Sequence, residues 1–126
     1  MYLLSICIPT YNREQNLKIM LDSIKSNSSV EIVVCDDGST DKTNQLVKSY
    51  YNSLNIKYIF QENLGVSAAI LKAYNYASGK YVIKMDSDDL FIEGGLDFVL
   101  DSIKKKPEYD AFLYGVKTIK DKMFSE

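Results

Sequence analysis

The chain has 126 residues, a length that fits one domain. Its 46% hydrophobic and 25% charged residues are ordinary values for a globular protein, which excludes disordered and low-complexity classes. It carries 15 Lys and Arg residues against 17 Asp and Glu residues, a net charge of -2. Because binding to a phosphate backbone needs an excess of positive charge, no nucleic-acid partner is expected.

Two residue types restrict the available chemistry. The chain has no histidine, so the usual proton shuttle near neutral pH and the commonest zinc ligand are both missing. Cys7 and Cys35 lie within apolar runs, where a free thiol acts as a small buried hydrophobe and suits the reducing cytoplasm. Chemistry therefore depends on carboxylates, hydroxyls and backbone groups.

The apolar run 2–8 is too short for a membrane span and lacks the flanks of a signal peptide, so it is predicted to be a strand.

Short β-branched runs alternate with amphipathic stretches, which is typical of βαβ units that carry a parallel sheet. Apolar residues at helical spacing predict a helix after each of the first four strands. The predicted fold class is therefore α/β, a Rossmann-like three-layer sandwich with a mostly parallel sheet and with no internal repeat or linker. The predicted strands are 3–8, 30–35, 56–60, 81–85 and 111–116, and a polar tail follows at 117–126.

The boundaries of these elements are predicted from turn and cap residues. Pro9 is expected to end the first ladder because it has no N–H to donate. Asn12 followed by Gln15 resembles a capping box at the start of the first helix. Ser39 or Thr40 is expected to cap the second helix.

Polar clusters follow the first four predicted strands. The carboxyl ends of parallel strands lie at one edge of the sheet, where open α/β folds bind their ligands. We therefore predict that these clusters meet in one crevice, although each taken singly also fits an ordinary polar loop. The clusters are Pro9-Thr10-Tyr11, Asp36-Asp37, Gln61-Glu62-Asn63 and Asp86-Ser87-Asp88-Asp89.

The aspartates at this edge would repel a phosphate unless a cation lay between them. Oxygen donors alone favour magnesium, manganese or calcium over zinc or an iron-sulfur cluster. In an extended backbone Asp86 and Asp88 point the same way and can share one ion, whereas the simpler interpretation is an Asp-rich turn. Asp37 can accept a hydrogen bond from an imide N–H, and Tyr11 offers a ring on which a base can lie, so a nucleotide is implied. A tight turn and a partly exposed tyrosine are the alternatives for these two residues.

These residues resemble, in order and in spacing, the family 2 glycosyltransferases, which have the GT-A nucleotide-diphospho-sugar transferase fold. Four ordered motifs at strand ends are far more specific than a lone Asp-x-Asp. The resemblance implies transfer of a sugar from a nucleotide-diphospho-sugar, usually a UDP-sugar, to a glycan or lipid-linked acceptor in polysaccharide or cell-surface glycan synthesis. It also implies a cytoplasmic location, with the full-length parent at the inner face of the membrane. The similar segments are Pro9–Glu14, Val34–Asp41, Asn63–Ala69 and Asp86–Asp89, within a resemblance from residue 2 to about 115.

The resemblance also implies the residues of the site. Thr10, Tyr11 and Asp37 would hold the base, with Asp36 and Glu14 shaping the same pocket. Asp86 would face the ribose, and Asp88 together with Asp86 would ligate Mn²⁺ or Mg²⁺, which stabilises negative charge on the leaving diphosphate. Glu14 also fits an acid in the first turn of a helix. The full set implied for the nucleotide is Pro9, Thr10, Tyr11, Glu14, Asp36, Asp37, Asn63, Gly65, Asp86 and Ser87.

The chain departs from the family pattern in two ways. Many relatives carry Arg-Asn where this chain has Ile70-Leu71, so Arg13 or Lys72 would have to supply the basic contact near the nucleotide. The family's acceptor-binding half, with the catalytic base, lies downstream of the metal motif, and no residue up to Glu126 matches that base. Residues 1–126 are therefore expected to be a single donor-binding domain, truncated or naturally short. The surface left by the other half would be apolar and favour self-association.

Other classes of protein remain as alternatives. A non-catalytic nucleotide-binding module is favoured by the short length and would bind ligand without transferring sugar. A sugar nucleotidyltransferase shares the broad fold but has a glycine- and arginine-rich phosphate loop, whereas 9–14 contains no glycine. A response-regulator receiver or a phosphatase of the haloacid dehalogenase type would place its acids after the first strand, where this chain has Pro9-Thr10-Tyr11.

Overall fold

The structure is a computed structural model that describes residues 1–112. It confirms the four predicted strand-helix units, while the predicted fifth strand (111–116) from residue 113 onward and the tail (117–126) lie outside the described residues. None of the helices it describes has the length and apolar character needed to span a membrane. The elements are β1 (Leu4–Thr10), α1 (Glu14–Asp22), β2 (Val30–Asp36), α2 (Thr43–Lys48), β3 (Ile56–Phe60), α3 (Val66–Tyr76), β4 (Tyr81–Lys84) and α4 (Gly95–Lys105).

The four strands form one parallel sheet in the order β3-β2-β1-β4, which confirms the predicted fold class. β1 pairs with β2 along its whole length, from Leu4 opposite Val30 to Thr10 opposite Asp36. Its pairing with β4 ends earlier, at Cys7. The carboxyl end of β1 therefore extends beyond β4 and is open on that side.

Pro9 lies within β1 opposite Cys35, so the prediction that it ends the ladder was wrong. The Cys7 carbonyl accepts from the Met85 N–H on the β4 side, and the Thr10 carbonyl accepts from the Asp37 N–H on the β2 side. Because groups two residues apart in a strand point the same way, an N–H at Pro9 would face the β4 side. β4 has already ended there, so the missing donor removes no ladder bond.

Helices cover both faces of the sheet. Alternate residues of β1 and β2 pack with α1, α2 and α4 into one large apolar cluster, which includes Ile6 and Ile32. The other residues of the same strands, Cys7 and Cys35 among them, meet Ala69 and Ala73 of α3. Burial raises the pKa of the Cys7 thiol to about 12, so this thiol stays protonated and acts as core.

Glu31 anchors the opposite, amino-terminal end of the sheet. Its carboxylate is 1% exposed, and Oε2 accepts hydrogen bonds from the Ser5 hydroxyl (2.5 Å) and from the N–H and hydroxyl of Ser78 (2.5 and 2.7 Å). Lys57 Nζ lies 3.0 Å from Oε1. Burial opposes ionisation, but these hydrogen bonds outweigh it and lower the pKa of Glu31 to about 2. Glu31 therefore stays charged and fixes the connection from α3 to β4.

Candidate active site

A cleft of about 420 Å³ opens at the carboxyl edge of the sheet, where β1, β2 and β4 end. Side chains from the loops after these strands line it together with the first turns of α3. The predicted convergence is therefore present for the clusters after β1, β2 and β4, whereas the cluster after β3, Gln61-Glu62-Asn63, does not line the cleft. The lining residues are Pro9, Thr10, Tyr11, Arg13, Asp37, Val66, Ala69, Asp86, Ser87 and Asp88.

Asp37 follows β2 and is 5% exposed. Its Oδ1 accepts hydrogen bonds from Gln61 Nε2 (2.9 Å) and the Leu64 N–H (2.8 Å), and its Oδ2 accepts from the Gly65 N–H (3.0 Å). Burial alone would raise the pKa of Asp37, but these donors outweigh it and hold the pKa below its usual range. Since a carboxylate offers about four acceptor positions and three are used here, Oδ2 has capacity for one more donor from the cleft.

Asp36, the last residue of β2, has a different position. Its Oδ1 accepts from the Ser39 N–H at 2.8 Å, and its Oδ2 accepts from the Tyr58 hydroxyl of β3. The side chain is buried and does not line the cleft. Asp36 therefore shapes the turn after β2 and does not face the ligand space.

Thr10 ends β1 and lines the cleft, yet its hydroxyl has no hydrogen-bond partner among residues 1–112. The residue is only 4% exposed. A buried hydroxyl without a partner costs about 1–3 kcal/mol, so such groups are rare in folded proteins. The oxygen itself is shielded from solvent, so a ligand in the cleft would satisfy it only after the side chain turns towards the ligand.

Tyr11 is 45% exposed at the mouth of the cleft, and the next residue determines how the chain leaves it. Asn12 has a left-handed backbone (φ 50°) that asparagine tolerates. Its Oδ1 accepts from the Thr40 N–H (2.7 Å), while its own N–H donates to the Ser39 hydroxyl (2.8 Å). The predicted capping box of Asn12 and Gln15 was therefore wrong, because the Asn12 side chain bonds to the next loop.

The starts of α1 and α2 are joined through the same two loops. The Glu14 N–H donates to Asp41 Oδ2 at 3.3 Å, and the Lys42 N–H donates to Glu14 Oε1 at 3.4 Å. Asp41 Oδ1 also accepts from the Thr43 N–H at 3.0 Å. The N-cap residue of α2 is Lys42, whose side chain makes no capping bond, and Asp41 instead holds the first N–H of the helix, so the predicted cap at Ser39 or Thr40 was wrong. Glu14 does not line the cleft.

Three carboxylates lie together after β4, with one oxygen each from Asp86, Asp88 and Asp89 within 4.8 Å of one another. Lys84 Nζ lies 2.7 Å from Asp86 Oδ1, which raises the pKa of Lys84. Arg13 Nη1 lies 3.5 Å from Asp88 Oδ2. The donor set is oxygen only and accessible to solvent, which fits a hard divalent cation such as Mg²⁺ or Mn²⁺.

The predicted residues thus divide into two groups. Residues in the cleft are Pro9, Thr10, Tyr11, Asp37, Asp86, Ser87 and Asp88, and residues outside its lining are Glu14, Asp36, Asn63 and Gly65. Gly65 nevertheless touches the site through its N–H on Asp37, and the Asn63 backbone packs against Gly38. Val66 and Ala69, which also line the cleft, were absent from the predicted set because small apolar residues at helical spacing indicate only core.

Comparison with known proteins gives a consistent result. The chain matches the model of glycosyl transferase family 2 over residues 5–125. The glycosyltransferase GlyA of Streptococcus pneumoniae serotype 4 is 42% identical to it over 111 residues, which are 86% of this chain and 16% of GlyA.

The fold of this chain is also similar to that of solved structures. The S. aureus TarS 1-349 complex with UDP-GlcNAc superposes with a TM-score of 0.77 at 34% identity, over 85% of this chain and 32% of that one. The mannosyltransferase PcManGT from Pyrobaculum calidifontis, solved with GDP-Man and Mn²⁺, gives a TM-score of 0.72 at 25% identity, over 80% of this chain and 32% of that one.

The parallel sheet and the cleft at its carboxyl edge define a GT-A domain. The chain belongs to glycosyl transferase family 2. It spans about a third of the TarS and PcManGT chains, and 16% of the length of GlyA.

Proposed function

We propose that this chain is the donor-binding part of a metal-dependent glycosyltransferase. It binds a nucleotide-diphospho-sugar, of which a UDP-sugar is the expected type, and presents the sugar to a glycan or lipid-linked acceptor in cell-surface polysaccharide synthesis. The observation that carries the proposal is the convergence of Tyr11, Asp37 and Asp88, from the loops after three different strands, on one cleft. Similarity to TarS, which was solved with UDP-GlcNAc, supports the choice of donor.

We propose the following roles in the cleft. Tyr11 stacks on the base, and the remaining acceptor position of Asp37 takes the imide N–H of uracil. Thr10 hydrogen-bonds the nucleoside, which satisfies its hydroxyl. Asp86 lies on the ribose side, next to the buried Ser87.

The cation is proposed to bind at Asp88 together with Asp86, whose oxygens lie in the acidic group described above. When bound, it neutralises the diphosphate and stabilises the charge that develops on the leaving group. PcManGT was solved with Mn²⁺, which supports a divalent ion of this type. No residue of 1–112 is assigned as the catalytic base, which we propose lies in the acceptor-binding half of the full-length enzyme.

Calorimetric titration of UDP tests this function. With Mn²⁺ present the chain is expected to bind UDP, and a chelator or Asp88→Ala is expected to weaken binding at least about tenfold, since a charged ligand contact is lost. Asp101→Ala, which removes an exposed carboxylate on α4 outside the cleft, is the matched control and should bind as the wild type does. Equal UDP affinity with and without metal would refute the role of Asp88.

A further inference from the structure

Arg13 is the one cationic side chain among the described residues that line the cleft. It directly precedes α1 and its side chain makes no capping hydrogen bond. A positive charge at the amino end of a helix opposes the helix dipole, so the stability of α1 gives no reason for arginine here. The position of Arg13 is better explained by what it faces across the cleft.

Arg13 faces Asp88, with Nη1 3.5 Å from Oδ2. Both side chains are about half exposed, at 53% and 51%. Water solvates both charges of such a pair, so the pair contributes little net stability and its partners separate at little cost. Asp86 is paired separately, with Lys84 at 2.7 Å.

Among the described residues, no cationic side chain lines the cleft on the α3 side. α3 contributes only Val66 and Ala69 to the lining, and its next residues, Ile70-Leu71, are apolar as well. The guanidinium of arginine presents a planar set of donors that matches two phosphate oxygens. Beside the proposed cation, Arg13 is therefore the lining side chain among the described residues that can pair with a diphosphate.

We propose that Arg13 exchanges partners when the donor binds. In the free protein it pairs with Asp88 and partly neutralises the acidic group. Once a divalent cation occupies Asp88, the guanidinium turns to the diphosphate of the donor. Arg13 thus determines specificity for a diphosphate, and this inference rests on the function proposed above.

The exchange predicts that removing the charge of Arg13 raises the affinity for a metal ion alone and lowers the affinity for UDP. Asp88 loses a competing cation, so a metal ion alone should bind more tightly. The diphosphate loses its partner, so UDP should bind more weakly. A residue that only supported the fold would weaken both.

The test uses calorimetry on the chain with Arg13→Met and Arg13→Lys. For Arg13→Met, Mn²⁺ affinity without nucleotide should rise about two- to fivefold, whereas UDP affinity at saturating Mn²⁺ should fall about tenfold or more. Uridine affinity should change less than about twofold, because uridine carries no phosphate. Arg13→Lys keeps the positive charge but lacks the planar set of N–H donors of the guanidinium. Its Mn²⁺ affinity should therefore match the wild type, and its UDP affinity should lie between those of the wild type and Arg13→Met.

Lys42→Met is the matched control, because Lys42 holds the corresponding position before α2 and does not line the cleft. It should change none of the three affinities. If Mn²⁺ and UDP affinities fall together in Arg13→Met, or if the ratio of UDP to uridine affinity stays constant, the exchange is refuted while the proposed function stands. If the wild type binds neither Mn²⁺ nor UDP, the proposed function itself fails.

Discussion

The Gly65 N–H donates a hydrogen bond of 3.0 Å to Oδ2 of Asp37, so the residue after β2 also fixes the start of α3. Leu64 and Gln61 donate to the same carboxylate, at 2.8 and 2.9 Å. Asp37 therefore organises one wall of the cleft before any ligand arrives. Loss of nucleotide binding in an Asp37 variant would consequently combine a lost contact with a displaced loop.

Asp37→Asn should lower thermal stability as well as UDP affinity. The amide has one oxygen in place of two, so its NH₂ group would face an N–H donor of the loop. We expect a loss on the order of 1–3 kcal/mol in the free energy of unfolding, because a buried donor loses its acceptor. Thermal denaturation without ligand measures this, with Asp101→Asn as the control. An unchanged melting temperature would contradict the role of Asp37 in holding the loop.

Thr10→Val should separate stability from binding. Valine has nearly the shape of threonine and removes a hydroxyl that has no partner in the part of the chain that the structure describes, so the free energy of unfolding should stay equal or rise. UDP affinity should fall about three- to tenfold, because one neutral hydrogen bond to the ligand is lost. Denaturant unfolding and calorimetry measure the two quantities.

Thr43→Val provides the contrast to Thr10→Val. Thr43 is also fully buried, but its hydroxyl donates to Asp41 Oδ1 at 2.5 Å. This substitution should destabilise the fold by about 1 kcal/mol or more. If Thr10→Val destabilises the fold as much as Thr43→Val does, the Thr10 hydroxyl has a partner in the free protein and is not available to the ligand.

Gly38→Ala should be more costly than Gly94→Ala. Both glycines have positive φ, at 92° and 75°, so alanine at either position should lower the free energy of unfolding by about 1–2 kcal/mol. A Cβ on Gly38 would lie 3.0 Å from the Asn63 backbone nitrogen, whereas nothing lies within 4 Å of one on Gly94. We expect at least about 1 kcal/mol of additional destabilisation at Gly38 from this crowding. Equal losses in chemical denaturation would show that the loop after β3 moves freely away.

Glu31 should make the fold sensitive to acid. Its pKa is lowered from 4.5 to about 2 in the folded protein, so the folded state binds protons less readily than the unfolded state. The stabilisation is complete above about pH 4.5 and is lost progressively as the pH falls towards 2. Glu31→Gln should flatten the dependence of the melting temperature on pH in this interval, and Glu93→Gln, at an exposed position, should not. Parallel curves for wild type and Glu31→Gln would contradict the prediction.

Much of the fold follows from local sequence. The runs at 3–8 and 30–35 predict strands, which are observed as β1 and β2, and β3 was predicted with its observed bounds of Ile56–Phe60. The end of β1 was predicted too early, because the effect of Pro9 depends on where β4 stops, and pairing between distant segments is not visible in a local pattern.

The candidate site was predictable in composition and less so in detail. The acids and hydroxyls after each strand were found because strand ends in a parallel sheet share an edge. The family resemblance assigned the base contact to Asp37 and placed Asp36 in the same pocket, but Asp36 does not line the cleft. Local sequence alone does not separate the two, since adjacent residues of one type differ only in the side of the chain from which they project. The bond from Asn12 to Thr40 was missed for a similar reason, because 28 residues separate the two.

The hydrogen bonds of Asn12 with Ser39 and Thr40 join the loop after β1 to the loop after β2, so that the two loops hold one common conformation. An engineer who wished to exchange the nucleobase preference of this domain would have to transplant both turns together. Replacing either turn alone would remove the hydrogen bonds of Asn12 with Ser39 and Thr40, which fix the position of Tyr11 relative to Asp37.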